Sequence, residues 1–178
     1  MARISLGSEA KDRSNDTFLN YTVVDLNNPA SENVILDTFE VWLNSNTVDV
    51  YLGTAYGSGT EYTTRNYANV GKLSAGAKRT ITGLSIEAQA GDFIAGYAGR
   101  FEVDTSGGAG YYRISGNIFG EGLQANYLLL AGGIVSLYAE GETVVSEKII
   151  AGSVLTETGW QRIITADKLK LRTSDGWQ

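Results

Sequence analysis

Short runs of alternating apolar and polar residues, each stopped by a glycine- or asparagine-rich turn, follow one another along most of this chain. They recur every 8–12 residues or so, the pattern of a β-sandwich or barrel. Val34–Leu43 is the strongest run, with Ile35, Asp37, Phe39, Val41 and Leu43 on one face at period two. A helix would also align Ile35, Phe39 and Leu43. The β-branched and aromatic content, and the turn Asn44-Ser45-Asn46 that follows, favour a strand. Val48, Val50, Leu52, Thr54 and Tyr56 alternate with Asp49, Tyr51 and Gly53. Leu84, Ile86 and Ala88 lead through Gly91-Asp92 into Phe93–Tyr97. Further strands are predicted at Phe18–Leu26, Glu61–Arg65, Val70–Leu73, Lys78–Ile81, Arg100–Asp104, Gly110–Ser115, Tyr127–Leu130 and Ile134–Tyr138. Parallel strands need crossovers of a dozen or more residues, and these connections are too short. The expected fold is all-β: an antiparallel two-sheet sandwich, jelly-roll-like.

The order of segments predicts three parts. Residues 1–16 read as an N-terminal arm or edge strand, 17–140 as the sandwich, and 141–178 as a C-terminal β appendage. Pro29, the sole proline, stops the first long strand. In the appendage Val144–Ile150 is one strand candidate, and Gly159-Trp160-Gln161 recurs as Gly176-Trp177-Gln178. Ile163-Ile164 and Leu169, Leu171 lie between, which suggests a hairpin. A lone hairpin is marginal in water, so this one must pack on the main domain or on another chain. Tryptophan is enriched among interface anchors, which makes Trp160 and Trp177 candidate docking residues.

Composition removes most catalytic devices. The chain has 22 glycines, three Trp, ten Tyr and five Phe, but neither histidine nor cysteine. A serine nucleophile lacks its usual base, and zinc sites built on His and Cys cannot form. Asn66–Lys72 ends in the Gly-Lys of a phosphate loop but lacks its first glycine, and Leu73 replaces the magnesium-binding hydroxyl. Gly107–Gly110 leads into a strand pattern, whereas a dinucleotide fingerprint opens a helix. The net charge of −6 disfavours nucleic acid and anionic membrane. Leu128–Ala139, the longest apolar stretch, is too short to span a bilayer. The opening residues carry no apolar signal core, so synthesis in a cytoplasm without a signal peptide is expected.

Three binding or catalytic chemistries remain open. Paired carboxylates could hydrolyse glycosides. Glu102 and Asp104 share a strand face at alternate positions, whereas Asp37 and Glu40 point to opposite faces. Calcium could use carboxylates and carbonyls. The suitable loops, Asp104–Gly108 and Asp12–Asp16, follow no metal-loop spacing, and no cofactor is expected. Sugar binding could use Tyr56, Tyr62, Tyr67, Tyr111 and Tyr112, which flank loops. Tyrosine is also a favoured, half-buried strand residue, which competes with that reading.

The order of several phrases resembles a domain of uncharacterised bacteriophage and prophage virion-type proteins. The opening matches are Leu6–Ala10, Asp12-Arg13, Asn28-Pro29-Ala30 and Val34–Trp42. The later ones are Val70-Gly71-Lys72, Ser74–Gly76, Thr80–Leu84 and Gly91–Ile94. Lys170–Trp177 is similar to Trp-ending tails on phage structural proteins. The resemblance covers about residues 1–138 plus that tail. It implies a β-sandwich displayed on a virion as a capsid decoration, head fibre or tail-associated protein. The expected partners are other virion proteins and further copies of the chain. No catalytic residue carries over. A carbohydrate-binding adhesin is the alternative, and a carboxylate-dependent glycosidase the third reading.

Overall fold

The computed structural model describes residues 2–17, 19–120 and 122–144, and beyond them the backbone of 153–156, 159–162, 172–173 and 176–177. The chain divides into two units, Met1–Val144 and Val145–Gln178.

The first unit is built from β1 (Arg3–Gly7), β2 (Asn15–Asp16), β3 (Tyr21–Asp25), β4 (Val34–Trp42), β5 (Thr47–Ser58), β6 (Glu61–Leu73) and β7 (Lys78–Ala88). After these come β8 (Phe93–Ala98), β9 (Glu102–Asp104), β10 (Gly110–Ser115), β11 (Gln124–Asn126), β12 (Leu128–Ala131), β13 (Ile134–Val135) and β14 (Leu137–Thr143). Eight of them form nested antiparallel pairs: β1 with β14, β3 with β8, β4 with β7, and β5 with β6. The pairs are dealt alternately onto two sheets, which is the jelly roll that the strand spacing predicts. One sheet has the order β1-β14-β4-β7 and the other β11-β6-β5-β8-β3-β10-β12, beside a small sheet β13-β9-β2.

The main core lies between the two large sheets. Leu6, Leu36, Phe39, Val41, Ile86 and Leu137 come from the four-stranded sheet, and Val23, Val50, Leu52 and Ile94 from the seven-stranded one. Burying each such side chain stabilises by about 1.5–3 kcal/mol. Phe101, Val103 and Val135 extend the core toward the small sheet.

The local phase of several strands differs from the simple alternation. In β4 the buried residues are Val34, Leu36, Phe39 and Val41, followed by Leu43 just beyond the strand, so Ile35 and Asp37 leave the core side. Against β14 one extra residue, Asp37, stands between the paired Leu36 and Thr38, and this bulge reverses the alternation. On β14 the bulge falls opposite Glu140/Gly141, where a Cβ on Gly141 would lie 1.9 Å from the Ile35 carbonyl oxygen. Only glycine fits there. In β5 the ladder shifts between Thr47 and Val50, which buries Thr47 and leaves Val48 76% exposed. β6 and β7 run unbroken where the sequence suggests two strands each, and β7 crosses Gly83 at a φ of +76°.

The part boundaries also move. Of the two readings for the N-terminus, residues 3–7 take the edge-strand one, with Leu6 fully buried. Residues 141–143 belong to β14 and not to the appendage. The Thr143 N–H donates to the Ala2 carbonyl at 2.8 Å, and the Val144 N–H to that of Asn33 at 2.8 Å.

In the second unit β15 (Ser153–Thr156) pairs with β16 (Gly159–Arg162), and β17 (Arg172–Thr173) with β18 (Gly176–Trp177). The Gly-Trp pairs of the two repeats therefore sit in two separate ladders. Trp160 is opposite Leu155 and Trp177 opposite Arg172. Their side chains, and the predicted strand residues 145–150, 163–164, 169 and 171, lie outside the described residues.

Candidate functional site: two outer sheet faces

The five tyrosines proposed as sugar contacts do not converge. Tyr62, Tyr111 and Tyr112 are buried, so none of them presents a ring to a glycan. Tyr111 points into the main core. Tyr62 and Tyr112, with ring centroids 4.9 Å apart, belong to a second core with Val24, Ala55, Ala95 and Tyr127. Tyr56 and Tyr67 stay exposed but sit in different surroundings. The Arg65 guanidinium lies 4.4 Å from the centre of the Tyr56 ring and also pairs with Asp92. Tyr67 instead joins Tyr51 and Phe119.

That second cluster is what the sequence reading missed. Cross-strand register lines up Asn69, Tyr51, Tyr97 and Thr22 across the outer face of the seven-stranded sheet. The next row is Tyr67, Gly53, Ala95, Val24 and Tyr112. Phe119, from the connection between β10 and β11, lies over Gly53 and nearly parallel to Tyr51, at 14° and 6.0 Å. A Cβ on Gly53 would stand 2.8 Å from both the Phe119 ring and the Tyr67 Cβ, so glycine opens the floor on which these rings meet. Tyr97 meets Tyr51 edge-on at 6.2 Å. One half of this face, around Tyr62, Phe93, Tyr112 and Tyr127, forms the second core. The other half leaves Tyr51, Tyr67, Tyr97 and Phe119 partly open. A signal was present: Val50–Gly53 and Phe93–Ala98 are apolar or aromatic at successive positions, as in strands covered on both faces.

The outer face of the four-stranded sheet is charged. Arg3 spans both Asp37 oxygens at 2.8 Å and reaches Glu140 at 3.1 Å. Lys78 pairs with Glu40 at 3.0 Å. The β4 bulge therefore brings Asp37 to the Arg3 guanidinium, which holds its carboxyl down at about 2. A shallow groove of about 430 Å³ runs here, lined by Gly7, Glu9, Thr38, Glu40, Lys78, Tyr138 and Glu140.

Glu102 and Asp104 do not form a hydrolytic pair. Glu102 is buried and accepts a bond from Asn44 at 2.8 Å. Asp104 is tied to Arg13, which holds it below the usual carboxylate range, opposite to what a general acid needs. Arg13 also occupies the carboxylate that the Asp104–Gly108 loop would offer to calcium. Among the described residues no group of three or more acidic side chains could hold a metal ion.

One further carboxyl is buried outright. Asp25 accepts from Ser8 Oγ at 2.8 Å, from the Asn27 N–H at 3.1 Å and from Asn27 Nδ2 at 2.5 Å. Asn27 in turn accepts from the Ala109 N–H and donates to the Gly133 carbonyl. Burial pushes Asp25 up to about 6, while the bonds from Asn27 and Ser8 and the nearby charge of Arg13 hold it back. This network joins β1 and the end of β3 to two loops and has the character of a structural node. No family model, no curated protein and no solved structure matches this chain.

Proposed function

We propose that this chain is a non-enzymatic structural protein of a bacteriophage particle, with the jelly roll displayed as a capsid decoration, head fibre or tail-associated unit. One observation carries the reading. The jelly roll is entered and left at one place, because Ala2 and Asn33 accept the backbone bonds of Thr143 and Val144. A second unit follows at once, from Val145. Both ends of the jelly roll thus lie on one region of its own surface, the arrangement a displayed domain needs. The resemblance to virion-type domains and the net charge of −6 support the same reading. Residues 145–178, with Trp160 and Trp177, serve as the docking segment on other virion proteins or further copies of the chain. Closed symmetric self-association is the usual arrangement for such proteins. Neither nucleic acid nor membrane is a partner in this role.

Peptide mass spectrometry on density-purified particles tests it. Many copies per particle are expected for a decoration, and a few for a tail or vertex. A chain deleted of residues 145–178 is expected to fold and to be missing from those particles. Absence of the full chain from particles, or normal incorporation of the deleted one, overturns the role or the docking assignment respectively.

A further inference from the structure

We infer that the open half of the seven-stranded sheet's outer face binds a neutral hexopyranose unit of a surface polysaccharide. The inference goes beyond particle display and does not depend on it. Three properties of the face support it.

The first is shape. Tyr51 and Phe119 stack nearly parallel, with Tyr67 tilted against both, so the three rings form one contiguous aromatic platform whose outer ring faces stay partly open. The apolar C–H face of a pyranose stacks on such a surface. Gly53, by lacking a side chain, lets the Phe119 ring lie down against the sheet beside Tyr67.

The second is hydrogen bonding. The hydroxyls of Tyr51, Tyr67 and Tyr97 make no hydrogen bond with another described residue, and these are half-buried or exposed groups. Asn69, beside Tyr51, donates to Asp49 at 2.7 Å, which places a carboxylate acceptor at the rim. Sugar hydroxyls both donate and accept, and this rim offers both. Asp49 disfavours acidic sugars by charge repulsion.

The third is size. Tyr67 is 37% exposed, and Tyr51, Tyr97 and Phe119 are less open. Aromatic side chains bury about 150–250 Å² each, so the open area of the four comes to about 350 Å² at most. A stable protein partner needs about 800 Å² per side. The platform suits one or two sugar rings and falls short of a protein interface.

The experiment is affinity electrophoresis of the full chain in gels holding one neutral polysaccharide each: a β-glucan, an α-glucan, a galactan and a mannan. Retardation by at least one is expected. Tyr67→Ala, the most exposed position, should weaken it tenfold or more. Tyr56→Ala, which alters an equally exposed tyrosine outside the platform, should leave it unchanged. Circular dichroism confirms the fold of each variant, and Tyr97→Phe removes a hydroxyl while keeping the ring. Tyr97→Phe is expected to weaken retardation less than Tyr67→Ala. No retardation by any of the four polysaccharides overturns the inference. So does retardation that survives Tyr67→Ala, or that Tyr56→Ala abolishes. None of these outcomes bears on whether the chain is a particle component.

Discussion

The two outer faces of the jelly roll solve the same problem in opposite ways. The four-stranded sheet faces outward with ion pairs, Arg3 with Asp37 and Glu140, and Lys78 with Glu40. The seven-stranded sheet faces outward with aromatic rings and carries a second core over half of that face. A charged face needs no cover, and its pairs contribute little to stability because water and salt screen them. An aromatic face gains much from cover. Where cover stops, at Tyr51, Tyr67 and Tyr97, it leaves aromatic rings partly open. The difference teaches that the faces of one sandwich can be assigned different roles by what is laid over them, with the strand framework unchanged.

Three measurements sharpen or break that contrast. The largest effect is expected from Tyr62→Ala, which empties the second core where Phe93, Tyr112 and Tyr127 meet. Truncating a buried aromatic costs about 3–5 kcal/mol, to be read from urea unfolding. A loss below about 1 kcal/mol would mean that the covered half is not a core, and the contrast fails.

Next comes the pH dependence of two aspartates with opposite signs. Asp25 is raised by burial from 3.8 to about 6. Its protonated form favours the folded state, so its contribution is full below pH 3.8 and is lost as pH rises through about 6. The gap is worth up to about 3 kcal/mol. Asp25→Asn should flatten that part of the stability profile between about pH 4 and 6.5. Asp37 is lowered to about 2 by Arg3, so its contribution is present above pH 3.8 and lost as pH falls through about 2. An unchanged slope in Asp25→Asn would show that the Ser8–Asn27 network does not feel that charge.

The smallest effect belongs to the charged face. Arg3→Ala removes the contacts to Asp37 and Glu140, yet the pair is substantially exposed. The expected cost is about 1 kcal/mol or less, shrinking further in 1 M salt. A cost comparable to that of Tyr62→Ala would mean that the two faces do not differ in the way described.

Much of the fold was legible before any coordinates. Turn chemistry and period-two alternation located the long strands of the jelly roll but not the short β2, β11 and β15, because these signals depend on neighbours along the chain. The phase within strands was less legible. The β4 bulge moved Asp37 from the core side to Arg3, and no residue near Asp37 announces a bulge whose answering glycine, Gly141, is a hundred residues away. The open aromatic residues were least legible. Tyr62 and Tyr67 look alike in sequence, and only the cover over one half of the sheet makes the first a core residue and the second a surface one.

The sequence by itself determined the class of molecule. Glycine-punctuated alternation and short connections specify an antiparallel β-sandwich from local stereochemistry alone. The tertiary structure decided which carboxylates are paired, which tyrosines are open, and that the jelly roll ends at residue 144 rather than 140. Those outcomes depend on register between strands far apart in the chain and on what packs over each face. Burial is a property of that assembly, and no window of neighbouring residues contains it.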